Sequence, residues 1–404
     1  VTTKSSGRSV KWRWTGTAQF VIGRTVACCV ECVLDRLISL PGAELASTCC
    51  RLEISKVWVR SLDFIFKVVF CVPPDSGECT KMKTTTRLHV RDSVRQIDCN
   101  AWLVGDQFII RRQRPAPAEF LWEDSDGFWY TLSDAVPPLP PSTPLPADSH
   151  IRQVHDAGDA SAVWSFGDAF LKIKLTPPDF RNTTKEHTTL EWLARHREQL
   201  SFAVPRVLHH AETDDRSYLL ITRVPGQVLA DAWRTLHEDD KRHYVRRIVD
   251  ICRELSVWQS SAMTGVDGGE FPETWLDLCR PSYSFKPHDL QKTCAGLGMD
   301  CSTFYLWHSD LGPHNILINA GEPGAVGIID WEIAGFVPLA WVRTKFSVSW
   351  GLDFAWPEVH GDDPSLREWR ERVERQFGDE GYPEVKAAWK QWFMERVSSR
   401  RSQS

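Results

Sequence analysis

The chain has no run of apolar residues long enough to cross a bilayer. Its nearest approach, Ile54 to Val72, is broken by Lys56, Arg60, Asp63 and Lys67, so no membrane span is expected. It also lacks the charged head, apolar core and small-residue cleavage site of a signal peptide, and a cytoplasmic protein is expected. There is no internal repeat, so no solenoid or propeller is expected. Positive charge is not in surplus: 48 Lys and Arg face 53 Asp and Glu, a net charge of −5, and nucleic acid is not expected as a partner. What remains is ordinary for a globular protein, with 42% hydrophobic and 25% charged residues. A length of 404 residues allows two good cores. The 19 tryptophans are scattered and read as packing residues. Nothing in the sequence bears on the oligomeric state.

Seven of the 12 cysteines fall in the first 98 residues: Cys28, Cys29, Cys32, Cys49, Cys50, Cys71 and Cys79. Cys29 and Cys32 have a zinc-ligand spacing, but Cys49-Cys50 does not repeat it and no His lies close, so zinc is not expected. Disulfides are not expected in a cytosolic chain. These residues carry 15 Lys and Arg against 9 Asp and Glu, a net +6 against −11 for the remainder. Residues 1–98 are expected to be a poorly ordered extension or spurious sequence. Domain-like patterning starts near Cys99, with strands expected in Trp102 to Ile110 and Phe128 to Leu132. Residues 136–146 read as a Pro-rich linker.

Chemistry concentrates in Leu306 to Glu332, LWHSDLGPHNILINAGEPGAVGIIDWE. Here an H-x-D is followed by Asn315, five residues after Asp310. A strand pattern, a turn at Gly321 to Gly324 and a second apolar strand then lead to Asp330. A hairpin over these residues brings Asn315 beside Asp330. An amide oxygen and a carboxylate together are hard ligands suited to Mg²⁺. Asp310, on the preceding loop stiffened by Pro313, could accept a hydrogen bond from an incoming hydroxyl. Kinases place a catalytic Asp and two magnesium ligands in this order. His308 reads as a structural histidine supporting the loop.

Upstream, Ala162 to Leu175 alternates like two strands around a turn at Phe166 to Asp168. Lys172 and Lys174 share one face of the second strand. One of them could reach phosphates, with Glu186 on the following helix as its partner. The other reading is a pair of solvated edge-strand charges. Tyr218 to Ile221 reads as a buried strand running into a turn at Thr222 to Gly226. Helices are expected over 237–260, with Tyr244, Ile248, Cys252 and Leu255 on the core face, and over 365–377 and 384–397.

Residues His308 to Leu317 and Ile329 to Phe336, supported by Gly167 to Lys172, Lys185 to His187 and Arg223 to Gly226, resemble the aminoglycoside phosphotransferase-like family, particularly fungal-type members. The likeness covers about residues 100 to 400. It implies an α+β, bilobal protein-kinase-like fold. A small, mostly β N-lobe would span 99–226, and a larger, mostly α C-lobe 227–404 with the hairpin 306–332. It implies ATP and Mg²⁺ as cofactors and a small-molecule hydroxyl as acceptor. By the same resemblance Asp310 is the catalytic base, and Asn315 and Asp330 hold the metal. Lys172, favoured over Lys174, and Glu186 position the phosphates. The Thr222 carbonyl and Val224 amide meet the adenine. Two other functions are kept beside the small-molecule kinase: a non-catalytic nucleotide-binding protein of this fold, and a protein kinase.

The sequence departs from the kinase pattern in three places. No G-x-G-x-x-G precedes the lysine strand, and Gly158 to Ala162 is the only candidate phosphate cover. Trp331-Glu332 follows the metal Asp where protein kinases have Phe-Gly. No A-P-E segment follows, which argues against a peptide acceptor. Asp353, Glu358, Asp362 and Asp363 could meet a cationic acceptor, though a solvated acidic loop is the simpler reading. Arg343 and Lys345 could meet an acidic one. Glu332 is either a group near the metal or a surface acid.

Overall fold

The computed structural model describes residues 88–403, apart from 214, 278–282, 320 and 360–362. The seven N-terminal cysteines, and the expected extension up to residue 87, lie outside these residues. One unit comprises Val57–Ala355 and Pro364–Ser404. The segment Trp356–Asp363 groups apart. Its first residues form a turn closed by the Val359 amide on the Trp356 carbonyl at 3.1 Å.

The first strands are β1 (Val94–Asp98), β2 (Ala101–Val104), β3 (Phe108–Gln113), β4 (Trp122–Glu123), β5 (Trp129–Asp134) and β6 (Thr143–Pro144). They form one sheet in the order β4-β5-β3-β2-β1-β6. Two expectations are corrected here. The boundary expected after residue 98 falls inside the sheet, because β1 pairs with β2 and Val94 is buried. The Pro-rich stretch is not wholly a linker, since Thr143–Pro144 pairs with β1 at the sheet edge, where proline costs no internal ladder bond.

A second sheet follows: β7 (Arg152–Asp156), β8 (Ser161–Phe166), β9 (Ala169–Leu175), β10 (Val207–Thr213) and β11 (Arg216–Thr222), in the order β10-β11-β9-β8-β7. Period-two alternation divides its faces. Ala162, Trp164, Phe166, Leu171, Ile173, Tyr218 and Leu220 share one core with Trp102, Phe108 and Tyr130 of the first sheet. Trp102 meets Phe166 edge-to-face at 5.7 Å. The sheets approach so closely that a Cβ on Gly105, whose φ is +57°, would sit 2.3 Å from the Tyr218 hydroxyl. Lys172 and Lys174 alternate with this core and occupy the other face. Helix α1 (Glu186–Arg195) follows β9 and buries Leu190 and Leu193.

The remainder is mainly helical: α2 (Glu238–Leu255), α3 (Pro287–Gly296), α4 (Leu339–Val348), α5 (Glu368–Asp379) and α6 (Lys386–Gln403). Tyr244, Ile248, Cys252 and Leu255 form the buried face of α2, as their spacing requires. Six short strands set the site: β12 (Gln227–Val228), β13 (Gln259–Ser260), β14 (Phe304–His308), β15 (Ile316–Ile318), β16 (Val326–Ile328) and β17 (Ala334–Val337). β15 and β16 form the expected hairpin, with Ile316 opposite Ile328, and β14 pairs with β17. The fold is therefore α+β, β-rich in its N-lobe and helical in its C-lobe. Among the described residues, no helix is long and apolar enough to cross a membrane.

Candidate active site

The hairpin delivers the residues that its sequence promised. The Ile329 amide donates to the Asn315 carbonyl at 3.0 Å, which sets the start of one strand beside the end of the other. Asp330 follows in the left-handed region, at φ 65° and ψ 56°. Few non-glycine residues adopt that conformation, which turns the carboxylate out of the strand. Asp310 is tied across the loop, where the Asn315 side-chain amide donates to its carbonyl at 2.8 Å and to its carboxylate at 2.9 Å.

His308 is fully buried behind this loop. Its Nδ1 accepts from the Asp310 amide at 3.2 Å, so the ring proton lies on Nε2, which donates to the Ile329 carbonyl at 3.1 Å. The ring thus spans the two chain segments that carry Asp310 and Asp330.

Lys172 reaches this cluster from β9. It donates to Glu186 of α1, and to Asp330 at 2.5 Å. Lys174, two residues on, pairs with Glu332 at 3.0 Å. The two lysines of one strand face therefore both enter the site, with different partners, and neither is a solvated edge charge. Glu332, which the sequence left undecided, belongs to the same cluster. Carboxylate oxygens of Glu186, Asp330 and Glu332 lie within 4.8 Å of one another. Two ammonium groups are already interleaved among these three acids.

Burial governs the charges here. It pushes the Asp310 carboxyl up to about 7, with Asp330 adding to the rise and Lys345 opposing it. Burial also raises Glu186 to about 7 against the pull of Lys172, and its Oε1 has no hydrogen-bond partner. Asp330 behaves oppositely although it shares Lys172. A third of its side chain stays exposed, and Lys172 and Lys174 outweigh its desolvation and hold it below the usual carboxylate range. Burial alone would lower Lys172, but Asp330, Glu186 and Glu332 hold it protonated.

Thr222 ends β11 opposite Ala169, and its hydroxyl accepts from the Arg206 amide at 2.9 Å. Val224 is buried just beyond, and among the described residues its amide has no hydrogen-bond partner. The candidate phosphate cover is the turn between β7 and β8. The Gly158 amide donates to Asp156 at 2.7 Å, while Asp159 accepts from the Val90 amide at 2.9 Å. The turn is thus pinned to the chain that precedes the first sheet.

Of the charges that could meet an acceptor, three are held by partners inside the fold, and Asp353 is not part of a solvated loop. Asp353 is bound by Arg370 at 2.5 Å, and Arg343 by Glu374 at 2.9 Å. Lys345 is buried against Glu273 at 2.6 Å. None of the three is available to an acceptor. Glu358 and Asp363 lie in the segment that groups apart, and Asp362 lies outside the described residues. Sequence reading missed Glu273 altogether, because no motif marks it.

The chain is similar to several solved structures. The GDP and kanamycin complex of APH(2")-IIia is 14% identical, over 64% of this chain and 90% of that one, with a TM-score of 0.40. Aminoglycoside phosphotransferase APH(3'')-Id from Streptomyces rimosus is 18% identical, over 60% and 91%, with a TM-score of 0.39. The gentamicin complex of APH(2")-IIa is 15% identical, over 61% and 82%, with a TM-score of 0.38. No curated protein matches the chain. The sequence model of the phosphotransferase enzyme family matches residues 151–388, from the first strand of the second sheet into the last helix. With more than half of its length matched in this way, the chain belongs to the phosphotransferase enzyme family.

Proposed function

We propose that the chain transfers the γ-phosphoryl group of ATP to a hydroxyl of a small molecule. The observation that carries this reading is the meeting of Asp310, Asn315, Asp330 and the Lys172–Glu186 pair at one place, contributed by both lobes. Asp310 accepts the hydroxyl proton as that oxygen bonds to the γ-phosphorus. The bond from phosphorus to the β–γ bridging oxygen breaks, and ADP leaves. Lys172, oriented by Glu186, holds the phosphates, and the chain at Thr222–Val224 receives the adenine. Most of the rate then comes from position and fixed charge.

Asn315 and Asp330 fit a magnesium ion. The Asn315 nitrogen is occupied by Asp310, which leaves its oxygen to offer, and Asp330 is held ionised. A bound Mg²⁺ would supply neutralisation of phosphate charge. Asp310→Ala should abolish turnover while ATP still binds. Asp330→Ala should remove the magnesium-dependent part of ATP binding, read by calorimetry with and without Mg²⁺. Turnover that persists in Asp310→Ala would refute the assignment. Binding of Mg·ATP without turnover across a broad hydroxyl library would make the chain a nucleotide-binding protein instead.

A further inference from the structure

Glu273 lies beneath the loop that carries Asp310, and it is fully buried. It takes four donors. These are the Ser309 hydroxyl, the Lys345 ammonium at 2.6 Å, the Trp341 indole at 3.1 Å and the Trp275 amide at 3.1 Å. Trp341 and Lys345 lie four residues apart on α4, which puts both on one helix face. The Lys345 ammonium sits 5.7 Å from the centre of the Trp275 ring and 5.8 Å from that of Trp341. Ser309 is gripped at a second point, since its amide donates to the Ile333 carbonyl at 2.8 Å. Asp310 is the next residue.

A buried ion pair is weak evidence for stability, because well-packed apolar residues of the same volume often serve as well. This one touches the chain beside the reacting group, and the Lys345 charge also acts on the Asp310 carboxyl. We propose that Glu273 and Lys345 are positioning residues for phosphoryl transfer, and that they hold the Asp310 carboxylate at the acceptor hydroxyl through the Ser309 side chain. Neither touches substrate. The inference rests on the reading of Asp310 as the base.

The test compares Ser309→Ala, Ser309→Thr, the double variant Glu273→Gln/Lys345→Met and Asp310→Ala, using slow ATP hydrolysis with water as acceptor. Displacing a reacting group by about an ångström can cost about a hundredfold in rate. Ser309→Ala should therefore lose roughly ten- to a hundredfold in kcat, with KM for ATP within about twofold and little change in Tm. Ser309→Thr keeps the hydroxyl and should recover most of the loss. Lys345→Met alone strands a buried carboxylate and can fail to fold, whereas the double variant removes both charges. It should fold, bind ATP and lose kcat as Ser309→Ala does. The inference is overturned if Ser309→Ala keeps its wild-type kcat while Asp310→Ala is inactive, or if kcat falls only together with ATP binding. Equal, non-zero hydrolysis by wild type and Asp310→Ala would mean that the reading of Asp310 has failed and takes the inference with it.

Discussion

His308 illustrates how one residue can be essential to a loop without touching chemistry. Both ring nitrogens are committed to backbone, and burial holds the ring neutral by lowering its pKa to about 4. In the unfolded chain a histidine titrates near 6.5. Between these values the unfolded state binds more protons, so the stability is fully present above about pH 6.5 and is lost as pH falls toward 4. The difference amounts to about 3 kcal/mol for His308 alone. His210 is likewise held down to about 4, and His187 and His209 lean the same way, so the acid sensitivity is shared. Urea midpoints at pH 7.5 and pH 5 should differ in wild type, and by less in His308→Gln. An equal difference in both would remove His308 from the account. The supporting role was legible in the sequence because H-x-D places the ring beside the loop. Glu273 was not legible, since it meets Ser309 across 36 residues of chain with no spacing to announce it.

At the scale of elements, the first sheet is the main addition to the family's matched region, which begins only at residue 151. Its strands were visible as alternating apolar runs, but periodicity does not say which sheet a strand joins. Placing them in a mostly β N-lobe over 99–226 left open that they form a separate sheet stacked on the other. β2, Ala101–Val104, is buried throughout, and its Trp102 and Val104 lie in the core shared by the two sheets. Because the two sheets share one core, they should behave as a single cooperative unit. Trp102→Ala should cost about 3–5 kcal/mol, the range for emptying a buried tryptophan site. Amide exchange in Ala169–Leu175 should accelerate as much as in β1 to β3, although Trp102 lies in the other sheet. Exchange confined to the first sheet would show two separable modules and contradict the shared core. The result bears on function, because Lys172 is fixed by the strand whose other face carries Leu171 and Ile173.

Across the whole molecule, the described residues join the lobes at several places, among them the Lys172–Asp330 pair and the Ala203 amide on the Val326 carbonyl at 2.9 Å. One junction, at Thr222–Gly226, was legible as a strand running into a Pro-Gly turn. Another was not, because it joins two loops far apart in sequence, largely through backbone groups. The Thr184 amide donates to the Glu270 carbonyl at 2.9 Å, the Glu270 amide to the Asn182 carbonyl at 3.1 Å, and the Thr184 hydroxyl to Asp267 at 2.5 Å. From there the Phe336 amide donates to the Thr264 carbonyl at 2.8 Å, which links the loop to the strand after Asp330. The start of α1, and with it Glu186, is therefore registered against the C-lobe rather than left to follow the N-lobe alone. Gly265 permits the approach, for a Cβ there would lie 1.8 Å from the Thr184 hydroxyl. Gly265→Ala should push Thr184 away at a cost of about 1–3 kcal/mol, the usual penalty of overpacking. It should raise amide exchange across 182–190 while leaving β10 and β11 protected, and it should weaken ATP binding by loosening Glu186 from Lys172. Asp267→Ala removes the hydrogen bonds from the Thr184 hydroxyl and the Gly269 amide, each worth about 1 kcal/mol, and should produce a change of the same kind. If exchange across 182–190 stays at the wild-type level in both variants, this junction does not hold α1 in place.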